Sequence, residues 1–111
     1  MKLLTKDIFA KLPPIGAQDA LGGKAIVHVK FFTPWAGWTW YATEGSKEGD
    51  DFLFFGLVDG HEKELGYFSL SELRSIHGPA GLAVERDIYW RPTTLEEIAP
   101  EMFQMKEGVT E

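Results

Sequence analysis

The stretch FFTPWAGWTWYATEG (residues 31–45) holds three of the four tryptophans in the chain. Its many threonine, tyrosine and tryptophan residues are typical of β-strands, and proline and glycine in residues 33–37 are placed for a tight turn. We therefore predict a hairpin whose second strand covers residues 38–44. Side chains alternate along a strand, so Trp38, Trp40 and Ala42 are expected to share one face.

This aromatic stretch has two interpretations. Tryptophans on one face of a strand can form a stacking platform for bases or sugars. They can equally be the bulky residues that fill the core of a small sheet packed against short helices. We favour the core for Trp38 and Trp40, and we expect Trp35, which lies in the turn, to be exposed.

Further strands are predicted on both sides of this hairpin. AIVHVKFF (residues 25–32) precedes it, and FLFFGLVDG (52–60) and ELGYFS (64–69) follow it. Short links between them predict an antiparallel meander, with residues 45–51 as a hairpin loop. The apolar run at 52–60 predicts a central strand, and Gly56 within it predicts a bulge or a close neighbour.

Helix signals lie at the two ends of this sheet. Thr5 is expected to cap a helix over residues 6–12. Ser69 with Glu72, and Thr94 with Glu97, match capping boxes that open two further short helices. Residues 77–87 are predicted to be irregular and to cover a sheet edge, with a strand-like end at DIYW (87–90).

These elements predict an α+β fold. We expect a twisted antiparallel sheet of about four to five strands, arranged as a meander, with short helices packed on one face. The length of 111 residues corresponds to a single globular domain over 1–111. Residues 101–111, which follow Pro100, are expected to be a frayed tail.

Composition limits the classes of function. The chain contains no cysteine, which excludes disulfides, thiolate metal sites and a cysteine nucleophile. This composition is consistent with a reducing compartment. The first residues lack the apolar run of a signal peptide, and no segment is long and apolar enough to cross a bilayer. We therefore expect a cytoplasmic protein with no membrane association.

The charge distribution argues against a protein that binds along the phosphate backbone of nucleic acid. The net charge is −6, and residues 31–111 carry six basic against fifteen acidic groups. Phosphate binding requires a basic face, and only the lysines of the first 30 residues offer one. The acidic excess leaves open mimicry of nucleic acid, as an anti-defence protein would use, although simple solubility also explains it.

The segment VERDIYWRP (residues 84–92) holds the main candidate site. If it is extended, Glu85 and Asp87 share one face and Arg86 lies on the other. Together with Trp35, Tyr89 and Trp90, these residues are predicted to form a surface patch, because aromatic and arginine side chains dominate interface energies. Alternatively, Arg86 or Arg91 forms ion pairs with acidic neighbours that fasten an irregular segment.

No reaction is indicated by a motif. Glu44, Glu85 and Asp87 are only weak candidates for a hard-metal site, because the carboxylates are scattered in sequence. The three histidines lack zinc-ligand spacing, and there is no nucleophile elbow, Walker loop or dinucleotide fingerprint. We predict no cofactor and no metal, and whether the protein is an enzyme is left open, with a non-catalytic role favoured.

Several segments carry a family resemblance. MKLLTKDIFAKLPPIG, FFTPWAGWTWYATEG, FFGLVDG, ELGYFSLSEL and HGPAGLAVERDIYW resemble the uncharacterised bacterial family DUF2958, a domain of unknown function. The resemblance runs from Met1 to about Ile98. It implies a small bacterial protein carried on plasmids, conjugative elements and other mobile DNA. It implies no catalytic residues.

We therefore predict a non-catalytic accessory protein of a mobile genetic element that binds another protein. A small metal-dependent hydrolase or nucleotide-modifying enzyme, and a nucleic-acid binder or mimic, are the alternatives. If Trp35 belongs to a binding patch, Trp35→Ala is expected to weaken partner capture with little loss of stability. A loss of several kcal/mol in unfolding free energy would assign Trp35 to the core.

Overall fold

The computed structural model describes residues 1–104, which form an α+β fold as predicted. An antiparallel sheet of five strands has the order β5-β4-β3-β2-β6, and β1 and β7 form a separate two-stranded sheet. The strands are β1 (Ile26–Val27), β2 (Val29–Phe32), β3 (Thr39–Glu48), β4 (Asp51–Asp59), β5 (Lys63–Ser69), β6 (Glu85–Arg86) and β7 (Thr93–Thr94).

The predicted meander is confirmed, because β2, β3, β4 and β5 pair consecutively and antiparallel. The predicted loop at 45–51 is wrong: β3 continues to Glu48, and only Gly49 and Asp50 connect it to β4. Gly49 has a φ of 60°, which a tight two-residue turn requires and glycine adopts without strain. The strand is long because the polar residues after Glu44 still pair with the apolar start of β4.

The strand predicted over residues 25–32 is interrupted at His28. Val29 pairs with Ala42 of β3, whereas Val27 pairs with Thr93 of β7 in the other sheet. Alternation along a single strand over 25–32 predicts that Val27 and Val29 share a face, and this prediction is wrong. Both side chains are buried, but in different apolar clusters, because the chain changes sheets between them.

A β-bulge at Thr43 reverses the faces on which the side chains after it lie. Ala42 pairs with Gly56, and Glu44 pairs with Phe55, which is adjacent to Gly56 in β4. Thr43 therefore has no opposing residue. The predicted close approach at Gly56 is confirmed, because a Cβ there would lie 1.8 Å from the Tyr41 carbonyl oxygen.

Helices cover both faces of the sheet, so the prediction of one covered face is wrong. Ile8 and Leu12 of the first helical segment, with Leu70 and Leu73 of the second, pack on the face of Phe54, which we call face A. Leu95 packs with Leu57 and Tyr41 on the opposite face, face B. The helices are α1 (Lys6–Lys11), α2 (Leu70–Ser75), α3 (Leu95–Ile98) and α4 (Pro100–Phe103), with 3₁₀ turns at Asp19–Lys24 and Pro79–Gly81.

The predicted helix caps are confirmed in the main. Thr5 Oγ1 accepts the Ile8 N–H, and Ser69 with Glu72 forms a complete capping box. Thr94 accepts the N–H of Glu97 at 3.3 Å, which is the forward half of the predicted box. Part of the tail predicted as frayed, up to Phe103, is helical, and residues 105–111 lie outside the described residues.

The three tryptophans of the opening stretch differ in burial. Trp40 is 6% exposed and belongs to the core of face A, as predicted. Trp38 is half-buried beside it, with ring centroids 6.0 Å apart. Trp35 is also half-buried, because its ring lies against the backbone of Gly78, where even a Cβ would come within 2.4 Å. The expectation that Trp35 is exposed is therefore wrong, because only part of its side chain is exposed.

Candidate functional site

A groove with a volume of about 350 Å³ lies along the β6 edge of the sheet. We call it the edge groove. It forms where β6 pairs with β2 and the chain then turns away from the sheet. The residues that line it are Met1, Lys30, Phe32, Glu85, Arg86, Asp87, Ile88 and Tyr89. The strand predicted at 87–90 is wrong, because the pairing residues are Glu85 and Arg86 and the following residues form a turn.

The turn after β6, which comprises residues 87–90, is fixed by local hydrogen bonds. Asp87 donates its N–H to the carbonyl of Lys30 at 2.9 Å. Its side-chain Oδ1 accepts the N–H of Tyr89 at 2.9 Å, and its carbonyl accepts the N–H of Trp90 at 3.2 Å. An aspartate that bonds its own backbone two residues later is a standard way to hold a turn.

Lys30 and Trp90 attach this turn to the body of the domain. The Lys30 ammonium lies 3.8 Å from Asp87 Oδ2, and 5.9 and 5.7 Å from the ring centroids of Tyr41 and Trp90. The indole N–H of Trp90 donates to the Val27 carbonyl at 3.0 Å. Trp90 is therefore an anchor packed on face B and not a member of the exposed patch.

Ile88 and Tyr89 project from this anchored turn into solvent. Tyr89 is 86% exposed, and Ile88 is also exposed. Side chains of both charges, Glu85 and Arg86, line the groove beside them. Two large apolar side chains are thus displayed on a backbone that neighbouring groups hold in place.

The outer edge of β6 is covered by the first residues of the chain. The Arg86 N–H points to the Met1 sulfur at 3.1 Å, and its guanidinium Nε donates to the Lys2 carbonyl at 3.2 Å. A thioether is a weak acceptor, so this edge is closed by a weak contact. Among residues 1–104, neither Arg86 nor Arg91 forms a salt bridge, so the ion pairs predicted for them are absent there; Asp87 pairs with Lys30 instead.

Trp35 lies in a separate cleft of about 330 Å³, which we call the tryptophan cleft. Its lining contains no lysine, arginine, aspartate or glutamate. The lining residues are Thr33, Trp35, Ala36, Trp38, Trp40, Ile76 and His77. His61, which is outside this set, packs nearly perpendicular to Trp38, with ring centroids 5.3 Å apart.

Glu44 is buried away from both clefts. It is 1% exposed, and its two carboxylate oxygens accept the N–H groups of Gly16 at 2.8 Å and of Gln18 at 2.6 Å. It therefore holds the loop before β1. Within residues 1–104 no three His, Cys, Asp or Glu side chains are grouped to hold a metal ion, so Glu44 does not join Glu85 and Asp87 in a common site.

The structure thus divides the predicted patch. Glu85, Arg86, Asp87 and Tyr89 line one groove, whereas Trp35 and Trp90 lie elsewhere. Sequence reasoning missed Ile88, although an apolar pair at Ile88 and Tyr89 in a polar segment is a usable signal. It also missed Lys30, because only the register of β2 brings Lys30 to Asp87.

The fold and its surface define a class: a small α+β domain with an antiparallel sheet covered on both faces and an apolar turn displayed at one edge. The family described as "Protein of unknown function (DUF2958)" matches residues 3–100, so the chain belongs to this family. No curated protein and no solved structure matches the chain. None of the helices within residues 1–104 has the length and apolar character to cross a membrane.

Proposed function

We propose that the chain is a non-catalytic module that binds another protein through the edge groove, in the bacterial cytoplasm and in the service of a mobile genetic element. The genetic context rests on the family resemblance of the sequence. The binding role rests on the surface of the turn after β6. The observation that carries it is the 86% exposure of Tyr89 on a turn that Asp87, Lys30 and Trp90 hold in place.

A fixed and exposed tyrosine suits a protein partner for two physical reasons. Tyrosine is enriched among the residues that dominate interface energies, because it buries a large ring and keeps a polar end. A turn that is already ordered loses less conformational freedom on binding. The partner surface is expected to offer an apolar pocket for Tyr89 and Ile88, with a rim that complements Glu85 and Arg86.

The test is affinity capture from the host cell with the wild type and with Tyr89→Ala, followed by titration of the captured protein. We expect Tyr89→Ala to weaken binding at least tenfold, which corresponds to about 1.4 kcal/mol. Its melting temperature should not change, because the side chain has few contacts to lose. Leu82→Ala is the matched control, since Leu82 is an exposed apolar residue outside the edge groove. Equal affinity of Tyr89→Ala and wild type for every captured protein would refute the proposal.

A second candidate function is recognition of an uncharged ring in the tryptophan cleft. Three indole side chains in one cleft favour it, because aromatic faces stack on bases and sugars. The cleft has no lysine or arginine for a phosphate backbone, which favours a free nucleoside or sugar over a polymer. Titration with nucleosides and monosaccharides, followed by tryptophan fluorescence, tests it. Fluorescence changes that persist in Trp35→Ala would assign binding elsewhere.

A further inference from the structure

Strand β5 is the other edge of the sheet and lies opposite the edge groove. Its pairing with β4 runs from Lys63 opposite Asp59 to Ser69 opposite Leu53, without a bulge. Within residues 1–104 no strand pairs with its outer side. A regular edge of seven residues offers a row of backbone groups to another strand.

The direction of these backbone groups follows from Ser69. Its N–H donates to Glu72 Oε1 at 3.0 Å, so it does not bond to β4. Backbone groups alternate in direction along a strand of an antiparallel pair. The N–H and carbonyl groups of Leu65 and Tyr67 therefore point outward, away from β4.

The side chains of the same two residues are also unusually exposed. Leu65 is 43% exposed and Tyr67 is 61% exposed, and both lie on face B. The Tyr67 ring packs against Phe55 with centroids 5.0 Å apart, which sets its position. Gly66 lies between them, and a Cβ on Gly66 would meet no atom within 4 Å.

We propose that β5 pairs antiparallel with β5 of a second copy of the chain, about a two-fold axis at Gly66. In this register Leu65 lies opposite the partner's Tyr67, and Tyr67 lies opposite the partner's Leu65. The outward groups of these residues then form four hydrogen bonds between the copies. The four apolar side chains meet on one face, so the surface is complementary to itself, as a two-fold interface requires.

The register also fits the remaining residues of β5. The pair at the axis is not hydrogen-bonded, and such pairs bring the two Cα atoms to about 4.5 Å. Lys63 lies opposite the partner's Ser69. In each copy, Lys63 pairs with Glu101, and the carboxylates of Glu72 and Asp51 bond Ser69 and Ser71 at the other end of β5. In this register the Lys63–Glu101 pair of one copy therefore faces the Ser69 end of the other copy's strand.

The dimer goes beyond the proposed function and does not depend on it. Because β5 and β6 are opposite edges, pairing through β5 leaves both edge grooves free at the far ends of a continuous sheet. Two grooves on one particle allow bivalent capture of a partner with repeated sites.

Sedimentation velocity over a range of concentrations tests the association. We expect the wild type to form a dimer and Leu65→Glu to be a monomer, because the substitution places a carboxylate against the partner's Tyr67. Leu82→Glu is the matched control, since Leu82 is 40% exposed, and it should remain a dimer. A wild type that stays monomeric at every concentration would overturn the proposal, as would a dimer that Leu65→Glu leaves intact.

A single cysteine tests the register, since the chain has none of its own. Gly66→Cys has room for its side chain and places two cysteines at the axis, within the Cα separation of about 4.4–6.8 Å that a disulfide accepts. We expect rapid disulfide formation between copies under mild oxidation. Glu64→Cys, on the same face of β5, should not cross-link, because the two cysteines would be about 13 Å apart along the strands. Cross-linking of Glu64→Cys but not of Gly66→Cys would refute the register.

Discussion

The two faces of the five-stranded sheet are covered by different kinds of contact. On face A, the Phe54 ring lies 5.0 Å from Phe52 and 5.3 Å from both Phe31 and Phe68. Helices α1 and α2 add aliphatic side chains to these rings. Five large aromatic residues on this face are buried: Phe31, Trp40, Phe52, Phe54 and Phe68.

Face B combines a smaller apolar cluster with polar attachments. The Gln18 side-chain amide donates to the carbonyls of Ile26 and Thr43, while Glu44 holds the backbone of the same loop. This cover leaves Leu65 and Tyr67 exposed. The comparison indicates that face A supplies most of the stability, whereas the loops of face B fix the residues available for interactions. Substitutions on the two faces test this division.

Substitution at adjacent residues of β4 compares the faces directly. Phe54→Ala removes a fully buried ring from face A and is expected to lower the unfolding free energy by about 3–5 kcal/mol. Phe55→Ala on face B should cost clearly less, because Phe55 is only half-buried. Urea denaturation of both variants gives the difference. Equal losses would contradict the assignment of stability to face A.

On face B, the Glu44 carboxylate holds the loop before β1 by accepting two of its backbone N–H groups. Glu44→Gln keeps the shape but turns an amide N–H₂ toward one of the two backbone donors, so we expect a loss of about 1–3 kcal/mol. Glu48→Gln, on the exposed end of the same strand, is the control and should be neutral. Faster amide hydrogen exchange in residues 14–25 should accompany the loss. A loss without a local change would mean that Glu44 does not hold this loop.

The turn after β6 should depend only weakly on its ion pair. Lys30→Met keeps the aliphatic stem and removes the charge beside Asp87, and partly exposed pairs contribute less than about 1 kcal/mol. A double-mutant cycle with Asp87→Asn measures their coupling. We expect a small positive coupling and faster hydrogen exchange at Tyr89. A coupling of zero would mean that the ion pair does not support the turn, which the Asp87 hydrogen bonds and the Trp90 anchor would then hold.

His28, at the junction between the two sheets, gives a small pH effect. Burial, and then the charge of Lys11, lower the pKa of His28 below its ordinary value of 6.5. The unfolded chain therefore binds a proton more readily, so this contribution to stability is complete above pH 6.5 and is lost as the pH falls through the lowered pKa. The melting temperature of the wild type should fall more than that of His28→Gln below that pH. A parallel decline in both proteins would contradict the assignment.

The parts of the fold that could be predicted depend on local chemistry. Thr5 and Ser69 cap helices because their hydroxyls reach a backbone N–H three residues later, which is a property of the sequence alone. The meander follows from apolar strands joined by short polar links. Glycine at position 56 of an apolar strand predicts a bulge or a close approach, and the Tyr41 carbonyl lies against it.

The errors occurred where one residue changes the pattern. The break at His28 sends Val27 to another sheet, and the bulge at Thr43 turns Glu44 to the opposite face from the one its spacing implies. Neither the break nor the bulge leaves a signal in the composition of the sequence or in the spacing of its apolar residues. The site was predicted in part for the same reason: Glu85, Arg86, Asp87 and Tyr89 lie together because they are neighbours in sequence, whereas Lys30 reaches them through strand pairing.

By itself, the sequence determined the fold class, the strand order of the meander and the helix starts, because these follow from alternation, turn residues and capping hydroxyls within a few positions. Only the tertiary structure decided which aromatic residues face solvent. Trp35 is covered by Gly78 and Trp90 is held by Val27, while Tyr89 has no such neighbour. Burial of a side chain depends on segments distant in sequence, and that information exists only once the chain has folded.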